Sequence, residues 1–183
     1  MNGDKLIVLD LDETLFHCDI LEPLNGDYDY KHIDKDGRNI RTYYTTLRPH
    51  VSEFIDYLNN NFKYGIYTAA TEDYAQIHIN KLGLNPLFLK HRENCTLKYN
   101  PNGWQYYLKR LSKLKKFGDI NKMIAIDDKL VSFSEDRGNL IKVDPFYGHP
   151  MDNTLEKLIK YLEDLKEMEM IRGNIVNNWK ERY

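Results

Sequence analysis

The segment Asp10-Leu11-Asp12-Glu13-Thr14 sets two carboxylates two residues apart, at the end of the short apolar run Lys5-Leu6-Ile7-Val8-Leu9. A continuous apolar run of this length reads as a strand buried on both faces of a parallel sheet. Open α/β sheets bind their ligands outside the carboxyl ends of such strands. Two acids so close repel one another, which favours one ionised and one protonated carboxyl unless a cation is bound. That pairing suits phosphoryl transfer. An ionised carboxylate can attack phosphorus and become an aspartyl-phosphate, while its neighbour protonates the departing oxygen and later deprotonates the attacking water. Two more apolar runs deliver groups to the same edge: Tyr64-Gly65-Ile66-Tyr67 ends in Thr68, whose hydroxyl can donate to a phosphate oxygen, and Met123-Ile124-Ala125-Ile126 ends in Asp127-Asp128. Hard oxygen ligands in this number suit Mg²⁺. Lys109, with Lys113 and Lys115 as its neighbours and rivals, lies ahead of the third run and can neutralise developing charge as a fixed cation.

The elements that must position these groups follow from periodicity. Leu140-Ile141-Lys142-Val143 is a fourth strand candidate, and helix-period stripes fall between the strands. Val51, Phe54, Ile55 and Leu58 predict one helix, and Trp104, Tyr107, Leu108, Leu111 and Leu114 predict another that would carry Lys109. Thr71, Tyr74, Ala75 and Leu82 predict a third, capped by the Thr71 hydroxyl and stopped at Gly83. Leu155, Leu158, Ile159, Leu162 and Leu165 predict a fourth, with Asp152 or Asn153 as its cap. The alternation gives a three-layer α/β/α sandwich around a central parallel sheet. Two stretches interrupt it. Residues 28–46 alternate aromatic or β-branched with polar residues around Asp36-Gly37, which predicts a hairpin folded over the first strand's carboxyl end. Residues 87–103 end in the turn cluster Asn100-Pro101-Asn102-Gly103 and read as an irregular insert. The tail, residues 171–183, is mostly polar, with Trp179 as its large apolar group, and either trails or docks.

At these residues the chain resembles the haloacid dehalogenase superfamily, whose DxDx(T/V) motif matches Asp10, Asp12 and Thr14. Adding LRPHVSEFIDYL, YTAATEDYA, HRENC, YLKRLSKL and MIAIDDK, it resembles the carboxy-terminal-domain phosphatases of RNA polymerase II, and in length their small members, the NLI-interacting-factor-like phosphatases. The likeness runs from about Lys5 to about Val143. It implies that Asp10 is the nucleophile, Asp12 the general acid and base, Thr68 the second-motif hydroxyl and Lys109 the third-motif lysine. It also implies an acidic fourth motif at Asp127 and Asp128, with Mg²⁺ held by Asp10, the backbone carbonyl of Asp12 and the fourth motif. Substrate contacts would come from Thr14, Thr68, Ala69, Arg92 and Lys109. Small members usually show Asp-Asn where this chain has Asp127-Asp128, which changes the charge around the metal. The hairpin corresponds to a flap that substitutes for a large cap, leaving the site open to a phosphorylated protein or peptide as well as to small phosphomonoesters. Residues 1–170 then form one phosphatase domain.

Composition narrows the alternatives. Lys and Arg total 26 against 28 Asp and Glu, a net charge of −2 over 183 residues, which argues against an electrostatic nucleic-acid clamp. The two cysteines, Cys18 and Cys95, lie far apart, so neither a zinc site nor a disulfide framework is indicated. His50, His78, His91 and His149 have no metal-like spacing and read as structural. No apolar run is long enough to span a membrane, and no signal-peptide layout precedes the first strand. The expectation is a soluble monomer of the cytoplasm, or of the nucleus in a eukaryotic host. The expected activity is hydrolysis of phosphoserine or phosphothreonine, the alternatives being nucleotides, sugar phosphates, nucleic-acid 3′ ends, or a binding module without catalysis.

Overall fold

The computed structural model describes residues 5–24, 26–36 and 39–183, with the backbone alone described for 34–36 and 39. Its centre is a five-stranded, all-parallel sheet of β1 (Leu6–Leu9), β5 (Lys63–Tyr67), β6 (Leu89–Lys90), β9 (Met123–Asp127) and β10 (Leu140–Lys142), in the order β10-β9-β1-β5-β6. The three runs read as buried strands are its middle, and they lie in register: Leu6 faces Lys63 on one side and Met123 on the other. Their side chains alternate between two cores. Ile7, Leu9, Tyr64, Ile66, Ile124 and Ile126 face one, while Leu6, Val8, Tyr67, Met123 and Ala125 face the other.

The first core is covered by α1 (Val51–Asn61), α2 (Glu72–Leu82) and α3 (Thr154–Glu167), each presenting its predicted apolar stripe. Gly83 ends α2 in the left-handed conformation at φ 64°, as a glycine stop should. Thr71 does occupy the N-cap position of α2, but its hydroxyl makes no capping bond. At α3 the cap position is Asn153, and the orphan Thr154 N–H is satisfied one residue further out, by Asp152 Oδ1 at 2.9 Å. The second core is covered by a thinner layer, the 3₁₀ helix Leu111–Phe117 and the loop carrying Phe133. Gly65 belongs to this face for a steric reason: a Cβ there would lie 2.3 Å from the Phe88 ring, which stacks on Phe117.

The predicted helix through Trp104 and Leu114 is the main correction. Its first half is a strand, β8 (Gln105–Leu108), paired antiparallel with β7 (Thr96–Tyr99). The turn Asn100–Gly103 closes a hairpin, with Asn100 Oδ1 accepting from the N–H groups of Asn102 and Trp104 and with Gly103 at φ 82°. Aromatic-rich flanks such as Trp104, Tyr106 and Tyr107 prefer a pleated surface once a tight turn is available, and this outweighs a helical stripe. The insert at 87–103 is correspondingly more regular than expected, since it contains β6 and β7.

The 28–46 hairpin is present as β3 (Tyr30–Asp36) and β4 (Asn39–Leu47), Asp36 pairing with Asn39. Its two turn residues, 37 and 38, lie outside the described residues. A short strand after the acidic segment, β2 (Phe16–Asp19), adds to β4 and completes a three-stranded flap in the order β2-β4-β3.

Candidate active site

Asp10 leaves β1 with its N–H bonded to Ile126 O on β9, so its position is fixed by the sheet ladder. The chain then turns tightly, Leu15 N–H returning to Leu11 O, and Glu13 takes a left-handed φ of 56°. A non-glycine residue held there is strained, and the restraints on it are visible. The Glu13 N–H bonds Phe16 O, and Glu13 O accepts from Phe146 N–H. Arg48 clamps the same turn from below. This guanidinium, 1% exposed, donates to Thr14 O at 3.1 Å and to Asp144 O at 2.9 Å. It also grips both oxygens of Asp152 at 2.8 Å each.

At the carboxyl edge of the sheet the structure brings together Asp10, Asp127, Asp128 and Lys109. Lys109 Nζ lies 2.8 Å from Asp10 Oδ1 and 2.6 Å from Asp127 Oδ2. Lys109 comes from the end of β8 rather than from a helix, and its N–H is anchored on Ser132 O. Burial alone would strip this ammonium of its proton, but the two carboxylates more than compensate and hold it charged. One buried ammonium cannot balance three buried carboxylates, and Lys129, 3.8 Å from Asp128, is solvent-exposed and shared with Glu13. Burial, with Asp10 adding to it, pushes the carboxyl of Asp127 up, and burial raises Asp128 to about 6.

That surplus of negative charge is what a divalent cation relieves. The fit is supported by geometry: Asp10, Asp127 and Asp128 each offer an oxygen within 4.8 Å of the others, and Asp128 Oδ1 is buried with no hydrogen-bond partner. Asp127 is the least available of the three, because its oxygens accept from Lys109 Nζ and from Lys129 N–H at 2.7 Å. Asp12 is not in this cluster. Its Oδ1 accepts a 2.5 Å hydrogen bond from the Tyr74 hydroxyl, and burial together with Asp10 raises its carboxyl to about 7 against the opposing pull of that bond.

Above the cluster opens a cavity of about 460 Å³, lined by Asp10, Asp12, Thr68, Ala69, Arg92 and, on the flap side, Tyr43. Thr68 Oγ1 accepts from Ala70 N–H at 3.1 Å, which leaves its proton free to be donated. Arg92 is exposed on the rim, where Nε is tied to Ala69 O at 2.9 Å and the guanidinium lies over the Tyr107 ring. Thr14, expected to touch substrate, is fully buried in the turn and does not line the cavity. Its matching position in the motif is filled by a residue that packs rather than reaches out. Four groups were not read from the sequence: Tyr74 and Cys18 in the wall, Arg48 beneath, and Lys129 at the mouth, 3.5 Å from Glu13 and 3.8 Å from Asp128. Lys129 could have been found, since it follows Asp128 directly; the others required the fold.

The parallel sheet with its strand-edge acids and small flap places the chain in the haloacid dehalogenase class of α/β phosphatases. The particular family follows from comparison: the model of the NLI interacting factor-like phosphatases matches residues 5–172, and the chain belongs to that family. A CTD phosphatase-like protein of Invertebrate iridescent virus 3 is 34% identical over 90% of this chain and 98% of its own length. The human CTD small phosphatase-like protein is 30% identical over 89% of this chain but only 56% of its own length, so the chain spans about half of that relative. Among solved structures, the fission yeast RNA polymerase II CTD phosphatase Fcp1 bound to beryllium fluoride superposes with a TM-score of 0.74. It is 19% identical over 90% of this chain and 63% of that one, which speaks to the fold. The chain is thus a phosphoric monoester hydrolase by family. Among the described residues no helix is long and apolar enough to cross a membrane.

Proposed function

We propose that this chain is a Mg²⁺-dependent phosphatase acting on phosphoserine or phosphothreonine in proteins through an aspartyl-phosphate at Asp10. The carrying observation is that Asp10 lies at the floor of an open cavity with a buried ammonium 2.8 Å from one of its oxygens. Lys109 orients the nucleophile through its contact with Asp10 Oδ1. Asp10 attacks phosphorus, a new P–O bond forms, and the ester P–O bond breaks as Asp12 gives its proton to the departing oxygen. Asp12, now ionised, takes a proton from the water that attacks the aspartyl-phosphate, and phosphate leaves. The Thr68 hydroxyl donates to a phosphate oxygen, and Arg92 on the rim attracts the dianion. When bound by Asp10, Asp128 and the Asp12 carbonyl, Mg²⁺ supplies neutralisation of the phosphate charge that one lysine cannot.

Support for a protein substrate is twofold. The roof is a three-stranded flap rather than a domain, so a side chain borne on an extended peptide can enter, and the relatives are named for a polypeptide target. Of the five residues that the resemblance names for substrate, Thr68, Ala69 and Arg92 line the cavity, while Thr14 and Lys109 do not. Reaction in the cytoplasm or nucleus agrees with two free cysteines.

The test is hydrolysis of an aryl phosphate with Mg²⁺ and with chelator, for the wild type and Asp10→Asn. We expect chelator to abolish activity and Asp10→Asn to lower kcat/KM by several orders of magnitude, since the nucleophile itself is lost. Activity indifferent to both would overturn the mechanism. A metabolite preferred over phosphopeptides by orders of magnitude in kcat/KM would remove the protein substrate.

A further inference from the structure

The flap and the acid are joined by one side chain. Tyr74, at 8% exposure, belongs to the first full turn of α2, and its ring sits among flap residues: 5.4 Å from His32 on β3, 5.9 Å from Tyr43 on β4 and 4.4 Å from His78 one helical turn on. Its hydroxyl points the other way, to Asp12 Oδ1 at 2.5 Å. The Cys18 thiol lies against the same phenol and is itself 3.1 Å from Thr45 Oγ1 on β4. The phenol is therefore held on one side by the flap and spent on the other on a single oxygen of Asp12.

We propose that Tyr74 is a positioning residue that makes Asp12 a directional acid and couples that direction to the flap. A protonated carboxyl accepts more strongly through its carbonyl oxygen than through its hydroxyl, so the bond to Oδ1 favours the acidic proton on Oδ2, the oxygen left over. Without the phenol, either oxygen could take the proton and the carboxyl could rotate about its Cβ–Cγ bond. With it, one rotamer and one protonated oxygen are selected before substrate arrives, which is where preorganisation gains its effect. Because the ring is wedged between β3, β4 and α2, a displacement of the flap moves the phenol and with it the aim of the acid. The inference rests on the reading of Asp12 as general acid given above.

The distinguishing property of a general acid is its dependence on the leaving group. A nitrophenolate departs without help, whereas the alkoxide of serine needs the proton. Tyr74→Phe keeps the ring and its packing and removes only the hydroxyl. We expect kcat/KM of Tyr74→Phe to fall about 10-fold on a phosphoserine peptide and less than about threefold on p-nitrophenyl phosphate, with a native near-ultraviolet circular dichroism spectrum. Asp12→Asn should show the same selectivity in exaggerated form, and Tyr30→Phe, which loosens the flap through His78 without touching Asp12, should show it in weaker form, its absence overturning the coupling to the flap. If Asp12→Asn discriminates between leaving groups and Tyr74→Phe loses nothing, or loses equally on both substrates, the positioning role is overturned. If Asp12→Asn itself does not discriminate, the general-acid reading fails and takes this inference with it.

Discussion

Lys109 is held between two buried carboxylates that would otherwise face each other unpaired. Its Nζ contacts Asp10 and Asp127 at 2.8 and 2.6 Å, and all three groups are at most 6% exposed. Breaking a buried pair by removing one partner costs more than the pair is worth, because the remaining charge is stranded. Lys109→Ala strands two. We expect it to lower the unfolding free energy by about 3–5 kcal/mol, read from urea denaturation. Asp127→Asn in the same background should recover part of the loss, giving a positive coupling in the double-mutant cycle. Additive losses would show that Asp127 does not depend on the ammonium. Asp127 and Asp128 thus divide their work despite being adjacent. The first is saturated by Lys109 and the Lys129 N–H, and the second keeps an oxygen open.

The elements show what patterning reveals and where it stops. Runs buried on both faces, such as Leu6–Leu9 and Met123–Asp127, are unambiguous because burial leaves no room for polar alternation, and with them come Asp10 and the Asp127-Asp128 pair. Leu108 and Leu111, spaced like a helix, lie instead at a strand end and a 3₁₀ start, because Asn100–Gly103 had already turned the chain. Lys109 was still placed at the site, since its contribution depends on chain order rather than on element type. What periodicity does not carry is contact between distant aromatics, and the seat of the flap is made of these. His78 is fully buried, stacks on Phe16 at 4.1 Å and has the Tyr30 hydroxyl 2.7 Å from Nδ1. Burial, with His32 nearby, lowers it from 6.5 to about 3. The folded state therefore refuses a proton that the unfolded chain takes up below pH 6.5, so this group withdraws stability as pH falls through that window and adds none above it. The unfolding free energy of the wild type relative to His78→Gln should decline by up to about 1.4 kcal/mol per pH unit between pH 6 and pH 4. Taking the difference cancels Asp12 and Asp128, whose raised values act in the opposite sense. A difference flat with pH would mean that His78 charges freely in the fold.

At the scale of the whole molecule, the family match ends at residue 172, yet the chain beyond it is not a loose end. Ile171 N–H bonds Asn121 O and Gly173 N–H bonds Gly138 O, leading the backbone across the edge of the sheet. The short helix α4 (Trp179–Arg182) then lays Trp179 flat on Tyr161 of α3, with ring centroids 5.5 Å apart, and the indole N–H donates to Lys142 O on β10. Lys157 Nζ reaches Lys180 O, and Tyr183 bonds Asp164, so α3 is stapled at several points along its length. Trp179, the large apolar group in a mostly polar tail, is 1% exposed and belongs to the same core as Ile7 and Leu9. Truncating a buried tryptophan removes its transfer free energy and leaves a cavity, together about 3–5 kcal/mol. Trp179→Ala should therefore lower stability by about that amount in denaturant unfolding. It should leave kcat/KM on an aryl phosphate unchanged below the new melting point, because β10 is separated from the cavity-bearing strands β1 and β5 by β9. Unaltered stability would show that α4 rests on the domain without holding it. A loss of activity at full stability would mean that this edge of the sheet communicates with Asp10, through the Asp127-Asp128 end of β9 that lies between them.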